Sequence, residues 1–385
     1  MIKKFFLFLL IAASCFALLS AEVEVEVKEE DKAIGEAKAA GKELQVPALE
    51  KKSKDRVIGA PILFYTPETR LAYGAAGSYI FRMNGCKNDS RPSSISPILI
   101  YTQEKQFKAQ VNADMYLKAD DYRLQAEVRF EKYPNKFFGV GINTLGNNEE
   151  SYTSRSAGLF LSFLKKLTGE VNLGIQYHFS NWEIVEMEEG GQLAAGNLFG
   201  SRDGTISGVS LLVNHDTRDN IYFPMKGELF ELNARVYSKF LGSKYDFSSL
   251  SLDLRKYVTL FSNHVLAVQS LVKMQTGDVP FMNLAQMGGQ YNMRGYFEGR
   301  FRDKNLLVFQ AEYRAPLVWR LGLVGFAGFG NVAEKFGKLS LAGMRSSYGF
   351  GLRLLFDSKE KIQVRMDVGF GEDCNGFYFS IFEAF

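Results

Sequence analysis

The chain has 385 residues, a formal net charge of +3, 46% hydrophobic and 14% aromatic residues, and only three cysteines and three histidines. So small a charge, with no basic run interleaved with stacking aromatics, argues against a nucleic-acid partner. His178, His215 and His264 are scattered and Cys86 and Cys374 stand far apart, so no metal-ligand spacing exists and neither metal nor cofactor is expected.

At the N-terminus, Lys3 and Lys4 precede an apolar run over 5–19 that closes on Ser20 and Ala21. A basic start, a short apolar core and small residues at the cut read as a secretory signal over 1–21. That run is short for a membrane-spanning helix. No later run approaches spanning length, so membrane insertion falls to strands. Residues 22–56 open with alternating Glu and Val and continue in Lys, Glu and Ala, which reads as a charged flexible linker.

From Val57 the pattern changes to segments of alternating apolar and polar residues separated by turn residues. Along 122–130, Tyr122, Leu124, Ala126, Val128 and Phe130 oppose Arg123, Gln125, Glu127 and Arg129. Along 362–370, Ile362, Val364, Met366, Val368 and Phe370 oppose Gln363, Arg365 and Asp367. A period of two is the geometry of a pleated strand. Many such segments, with no helical pattern to cover an apolar face, fit a wall with lipid outside and water inside. Strands are expected at 57–66, 70–83, 94–103, 106–118, 121–133, 151–166, 169–182, 204–216, 226–238, 244–259, 262–275, 304–318, 320–331, 345–357, 360–371 and 376–385. The fold class is thus all-β, a 16-stranded antiparallel transmembrane β-barrel over 57–385, an even number as single-chain barrels require. With the first strand rising, the long connections 134–150, 183–203, 276–303 and 332–344 fall outside.

The stretch 287–305, MGGQYNMRGYFEGRFRDKN, is neither strand nor helix by pattern. A loop this long in a strand-rich chain is functional or disordered, and its aromatics and glycines argue against disorder. It reads as a plug folded into the lumen from the outer side. Cys86 and Cys374 lie at opposite barrel ends in this layout, so no disulfide is expected. Ser210 and His215 fall on opposite strand faces and no G-x-S-x-G elbow is present, so no enzymatic activity is expected.

With these residues in view, the chain resembles the BamA/TamA-type outer-membrane superfamily, the bacterial surface antigen family, over about 57–385. Arg294-Gly295-Tyr296 matches the family's RG(F/Y) loop motif. Asp216-Thr217-Arg218-Asp219 with Pro224 and Gly227 resembles its DxRD…PxxG periplasmic turn. Glu312-Tyr313-Arg314-Ala315-Pro316-Leu317 and 325–332, GFAGFGNV, resemble two of its strands. Phe377, Phe379, Ile381 and Phe385 resemble the C-terminal insertion signal, and are expected to face lipid as anchors. Two departures stand out. Gly328 replaces the family's usual Asp, and 22–56 lacks the βααββ patterning of a POTRA domain, so the resemblance is to a POTRA-less member.

A guanidinium inside a barrel needs planar carboxylate or aromatic partners. With Gly328 in place of the acid, Arg294 is expected to latch onto inward Glu312 and Asp367, with Asp253 a weaker candidate. Gly295 permits the tight turn behind it, and Tyr296 packs on the wall. Arg300, Arg302 and Asp303 extend the polar network or form a solvated loop. Asp216, Arg218 and Asp219 make a self-paired turn. The resemblance implies a bacterial outer-membrane protein, embedded in outer-membrane lipid and placed there by the barrel-insertion machinery. It would assist insertion or translocation of client outer-membrane or surface proteins, with a periplasmic partner and with the seam between first and last strands as its working part. Gly59, Pro61 and Gly376 suit a weakly paired seam. The alternative is a passive plugged channel or structural barrel for small solutes or lipids.

Overall fold

The computed structural model describes residues 55–82, 92–118, 121–357 and 362–385. The signal segment, the linker as far as Lys54 and Cys86 lie outside the described residues. The strands run β1 (Arg56–Thr66), β2 (Arg70–Phe81), β3 (Ser93–Thr102), β4 (Phe107–Leu117), β5 (Tyr122–Phe137) and β6 (Glu150–Thr168). They continue with β7 (Val171–Met187), β8 (Asp203–Asp216), β9 (Gly227–Tyr237), β10 (Phe247–Thr259), β11 (Val265–Gly277), β12 (Ala285–Met287) and β13 (Phe301–Asp303). The last are β14 (Asn305–Pro316), β15 (Leu321–Ala333), β16 (Arg345–Asp357), β17 (Ile362–Gly371) and β18 (Cys374–Ile381). All but β12 and β13 form one closed antiparallel barrel, each strand paired with its neighbours in sequence, β11 with β14, and β18 back to β1. That is the expected sixteen. Closure satisfies the backbone hydrogen bonds of the wall in lipid everywhere but along the β1–β18 seam.

Alternation sorts the wall. Leu161, Phe163, Ile175, Val209, Leu211 and Phe350 project outward and are exposed, whereas Gln269, Gln310, Glu312 and Arg365 project inward and are buried. No helix among the described residues is long and apolar enough to cross a membrane.

Three differences from the sequence reading have physical causes. First, β5 and β7 continue past their expected ends to Phe137 and Met187, so the outer connections are shorter than expected. Pro134 suggests a strand end, but β4 stops opposite Lys132, and beyond it β5 pairs only with β6. A proline is tolerated where one ladder side is open. Second, the plug loop is not devoid of regular structure. Ala285–Met287 pairs with Phe301–Asp303, Met287 opposite Phe301, closing the loop at its base. Third, the last strand ends at Ile381, not Phe385. Phe382 adopts a φ of 68°, which turns the final residues into the barrel, and Phe385 is buried at 4% exposure. The expectation that Phe385 faces lipid is therefore corrected; Phe377 and Ile381 are exposed on the outer face, and Phe379 is partly covered.

The barrel closes unevenly. Along β1 and β2 eleven residue pairs are in register, but β1 and β18 meet in register at one pair, Tyr65↔Phe379. Most of the β1 edge from Arg56 to Phe64 thus lacks a partner strand on that side, Gly59 and Pro61 among it. An unpaired edge opens more readily than a central ladder. In hydrogen–deuterium exchange of the protein in detergent, peptides covering 57–64 are expected to exchange roughly tenfold or more faster than peptides covering 157–164 in β6. Equal protection would show the seam to be closed.

Candidate functional site

The plug fills the side of the lumen walled by β14–β18. Met287, Met293, Tyr296 and Phe301 of the loop pack on Leu306, Val308 and Val332 of the wall. The motif lies against β17 backbone to backbone. At Gly295, φ is 113°, and an added Cβ would lie 2.6 Å from the Phe370 carbonyl carbon. Opposite it, a Cβ on Gly369 would lie 2.7 Å from Arg294 main-chain atoms. No side chain fits at either position without separating loop and wall, which is the close approach glycine allows. Gly328, on β15, also faces the loop, with Met293 Sδ 3.0 Å from where its Cβ would be.

Arg294 is 2% exposed. It donates to Asp367 Oδ2 at 2.5 Å and to Glu312 Oε2, and its guanidinium sits 3.6 Å from the Phe326 ring centroid. The structure thus brings the loop arginine onto the two carboxylates named from sequence. Asp253 lies elsewhere, held by Arg255 and Gln269. The charged fork and the aromatic face satisfy a cation that water cannot reach.

The two carboxylates belong to a larger network. Glu312 also accepts from Arg314 Nε at 2.8 Å. Asp367 also accepts from Arg353 at 2.5 Å, and Arg365 stands 3.6 Å from it. Arg353 donates to Glu383 of the inturned tail at 2.8 Å. Arg314 further donates to the Pro224 carbonyl at 3.1 Å and to the Phe385 main-chain oxygen at 3.0 Å. One ion network therefore joins the loop motif, the inner turn after β8 and the C-terminal residues. Within that turn, Arg218 pairs with Asp216 at 2.8 Å, and Asp219 Oδ1 accepts from the main-chain N–H of Met225 and Lys226. Gly227 has a φ of 104°, with Thr217 O 2.3 Å from where a Cβ would stand.

The loop also holds both sides of the seam. The Gly295 N–H donates to Tyr378 Oη on β18 at 3.0 Å. The Glu298 N–H donates to Glu68 Oε1, in the turn between β1 and β2, at 2.7 Å. Tyr296 Oη donates to the Ser346 carbonyl and accepts from the Glu372 N–H. Burial pushes the Glu68 carboxyl above the usual glutamate range, opposed by the Thr66 hydroxyl and the Glu298 N–H. Farther along the loop, Arg302 is fully buried between Phe137 and Phe281. Arg300 donates to Thr144 at 2.9 Å. Both are packed against the outer loops rather than solvated, while Asp303 caps the Lys304 N–H at 2.8 Å.

Sequence reasoning missed Arg353, Glu383, Tyr378 and Glu68. Alternation along 345–357 carries a signal for Arg353. Glu383 carries none, because it enters the lumen only through the turn at Phe382. Cys374 is a free thiol.

Residues 94–381 match the Omp85 superfamily domain. Among solved structures, the chain is similar to BamA from Haemophilus ducreyi lacking POTRA domains 1–3, with a TM-score of 0.58 at 14% identity over 85% of this chain and 70% of that one. It is also similar to CdiB from Acinetobacter baumannii, with a TM-score of 0.54 at 15% identity over 85% of this chain and 59% of that one. For CdiB from Escherichia coli the TM-score is 0.55 at 9% identity, over 85% and 63%. The chain thus spans less than two thirds of the two CdiB chains it matches. No curated protein matches it.

Two stability predictions follow from this geometry. Arg294→Ala removes one charged hydrogen bond from each of Glu312 and Asp367, which keep Arg314 and Arg353, and is expected to cost about 1.5–3 kcal/mol, read as a lower denaturant midpoint of the folded barrel in detergent. Arg294→Lys should recover part of the loss. Glu68→Gln keeps an acceptor for the Glu298 N–H without a buried charge. Because the folded carboxyl is raised, its stabilising protonated form is fully present below the ordinary glutamate value and lost as pH rises through the raised one. The variant should therefore unfold at a higher temperature than the parent at pH 8 and together with it at pH 4.

Proposed function

The chain belongs to the Omp85 superfamily, and from that premise we propose that this outer-membrane barrel assists the insertion or translocation of outer-membrane or surface proteins through its β1–β18 seam. The observation that carries the reading is the seam held by one register pair and bridged from inside by the plug, which grips Tyr378 on one side and the Glu68 turn on the other. An unpaired strand edge is a template for another strand. A client segment can add to the β1 edge by main-chain hydrogen bonds, the recognition mode of strand augmentation, which needs no particular side-chain sequence. The plug opposes this opening, because separating the strands strains its contacts to one side or the other. The partners in this reading are a client barrel or surface protein, a periplasmic factor that delivers it, and the surrounding outer-membrane lipid.

A passive plugged channel for small solutes is the second reading. It draws on the water-accessible half of the lumen opposite the plug, away from the seam. The unpaired edge has no task in a passive pore, and this favours the first reading.

The test is a disulfide across the one closed pair, Tyr65→Cys with Phe379→Cys, in a chain whose own cysteines are replaced by serine. The oxidised form is expected to stop assembly of client barrels in reconstituted liposomes, and a reductant to restore it. Assembly at the same rate with the seam locked would refute a role for seam opening.

A further inference from the structure

Beside the plug, on the wall from β4 to β11, lies a lumenal cavity of about 810 Å³. It reaches from Asn283 of the plug loop at the outer end to Arg218 and Ile221 of the inner turn. Its lining is polar, and its charges are not evenly paired: Glu231, toward the inner end, is held by the Asn214 amide at 3.0 Å. Toward the inner end, Arg123 pairs with Asp114, Arg218 with Asp216 and Arg255 with Asp253. Farther out stand Arg235 on β9 and Lys273 on β11, and neither forms an ion pair among the described residues.

Arg235 is held by neutral groups alone. It donates to Tyr237 Oη at 3.1 Å, to Ser210 Oγ at 3.4 Å and to Gln176 Oε1. Its guanidinium lies 5.9 Å from the Phe160 and Tyr237 ring centroids. His178 stacks on the same Phe160 ring at 4.0 Å and bonds Tyr237 Oη at 2.7 Å. These contacts orient the guanidinium without neutralising it. Lys273 projects into the cavity from two strands away. The intervening strand β10 contributes Ser249, in register with Arg235 and Gln275, and Ser251, in register with Asn233 and Lys273. Two small side chains thus leave open the space between the two cations.

Two cations with no ion-pair partner of their own, set outward of the cavity's carboxylates Asp216, Glu231 and Asp253, repel each other and gain from an anion placed between them. An arginine presents a planar fork and a lysine a rotatable point charge; together they suit a doubly charged, multi-oxygen group better than a single carboxylate. We propose that this cavity is a binding site for a phosphoryl group, carried by a small periplasmic solute or by a lipid headgroup. The site is separate from the latch and does not depend on the seam reading.

The experiment is calorimetric titration of the full chain, in a non-ionic detergent at low ionic strength, with inorganic phosphate as probe. Saturable binding is expected with a Kd on the order of 1 mM or tighter, weakened about tenfold or more in Arg235→Gln and in Lys273→Met. Lys273→Glu places a carboxylate opposite Arg235, so it should abolish binding while the protein keeps its folded, heat-modifiable mobility; this separates loss of the site from loss of the fold. Titration above pH 7 with glycerol 3-phosphate and with dihexanoyl phosphatidic acid, both phosphomonoesters that carry the second charge, then assigns the source, a free solute or a lipid headgroup. No saturable binding of phosphate, or binding unchanged in all three variants, would overturn the proposal.

Discussion

The structure depends on a buried arginine that cannot be left alone. Arg294 enters the lumen on a loop whose own main-chain bonds are few, the short β12–β13 pair and the Gly288–Asn292 bridge among them. A desolvated guanidinium is costly unless fully partnered, so Glu312, Asp367 and the Phe326 face decide where the loop can rest. Charge chooses the wall strands, and glycine at 295 and 369 sets how close the backbones come. Neither suffices alone: charge without the close approach would leave the fork short of its acids, and close approach without charge would leave the loop free to slide.

The same network extends beyond the plug. Glu312 passes from Arg294 to Arg314, and Arg314 reaches the Pro224 carbonyl and the Phe385 main chain. Asp367 passes from Arg294 to Arg353, and Arg353 reaches Glu383. The inner turn, the C-terminal residues and the outer loop are remote in sequence but share carboxylates. Charges that share partners are coupled, and changes at one act on the others more than additively. A plug anchored this way is linked through Arg314 and Arg353 to a tail that leaves β18 only at Ile381, beside the seam.

The lumen has two unlike halves. One is packed with the loop's methionines and aromatics against the β14–β18 wall. The other is a polar cavity lined by Arg235 and Lys273 among its charged groups. The barrel is asymmetric in strength as well, with a long ladder through β5, β6 and β7 and one register pair at the seam. A closed cylinder has to place its weakest join somewhere, and here it adjoins the filled half, where the plug can brace it.

The amino-acid pattern determined the barrel and its sixteen strands, and narrowed the arginine's partners to inward acids, Glu312 and Asp367 ahead of Asp253. Strand alternation is local, with a period of two, and an inward carboxylate is readable from its neighbours. The extra reach of β5 and β7 was not readable, since a proline's tolerance depends on whether the adjacent strand has ended. Nor was the inward turn at Phe382, which makes Phe385 a lumenal residue and recruits Glu383. A single positive φ in the last four residues leaves no periodic trace, and only the charges waiting inside the closed barrel give that turn its reward. Single-pair closure of the seam likewise arises from register between β1 and β18, strands distant in sequence, which tertiary closure alone decides.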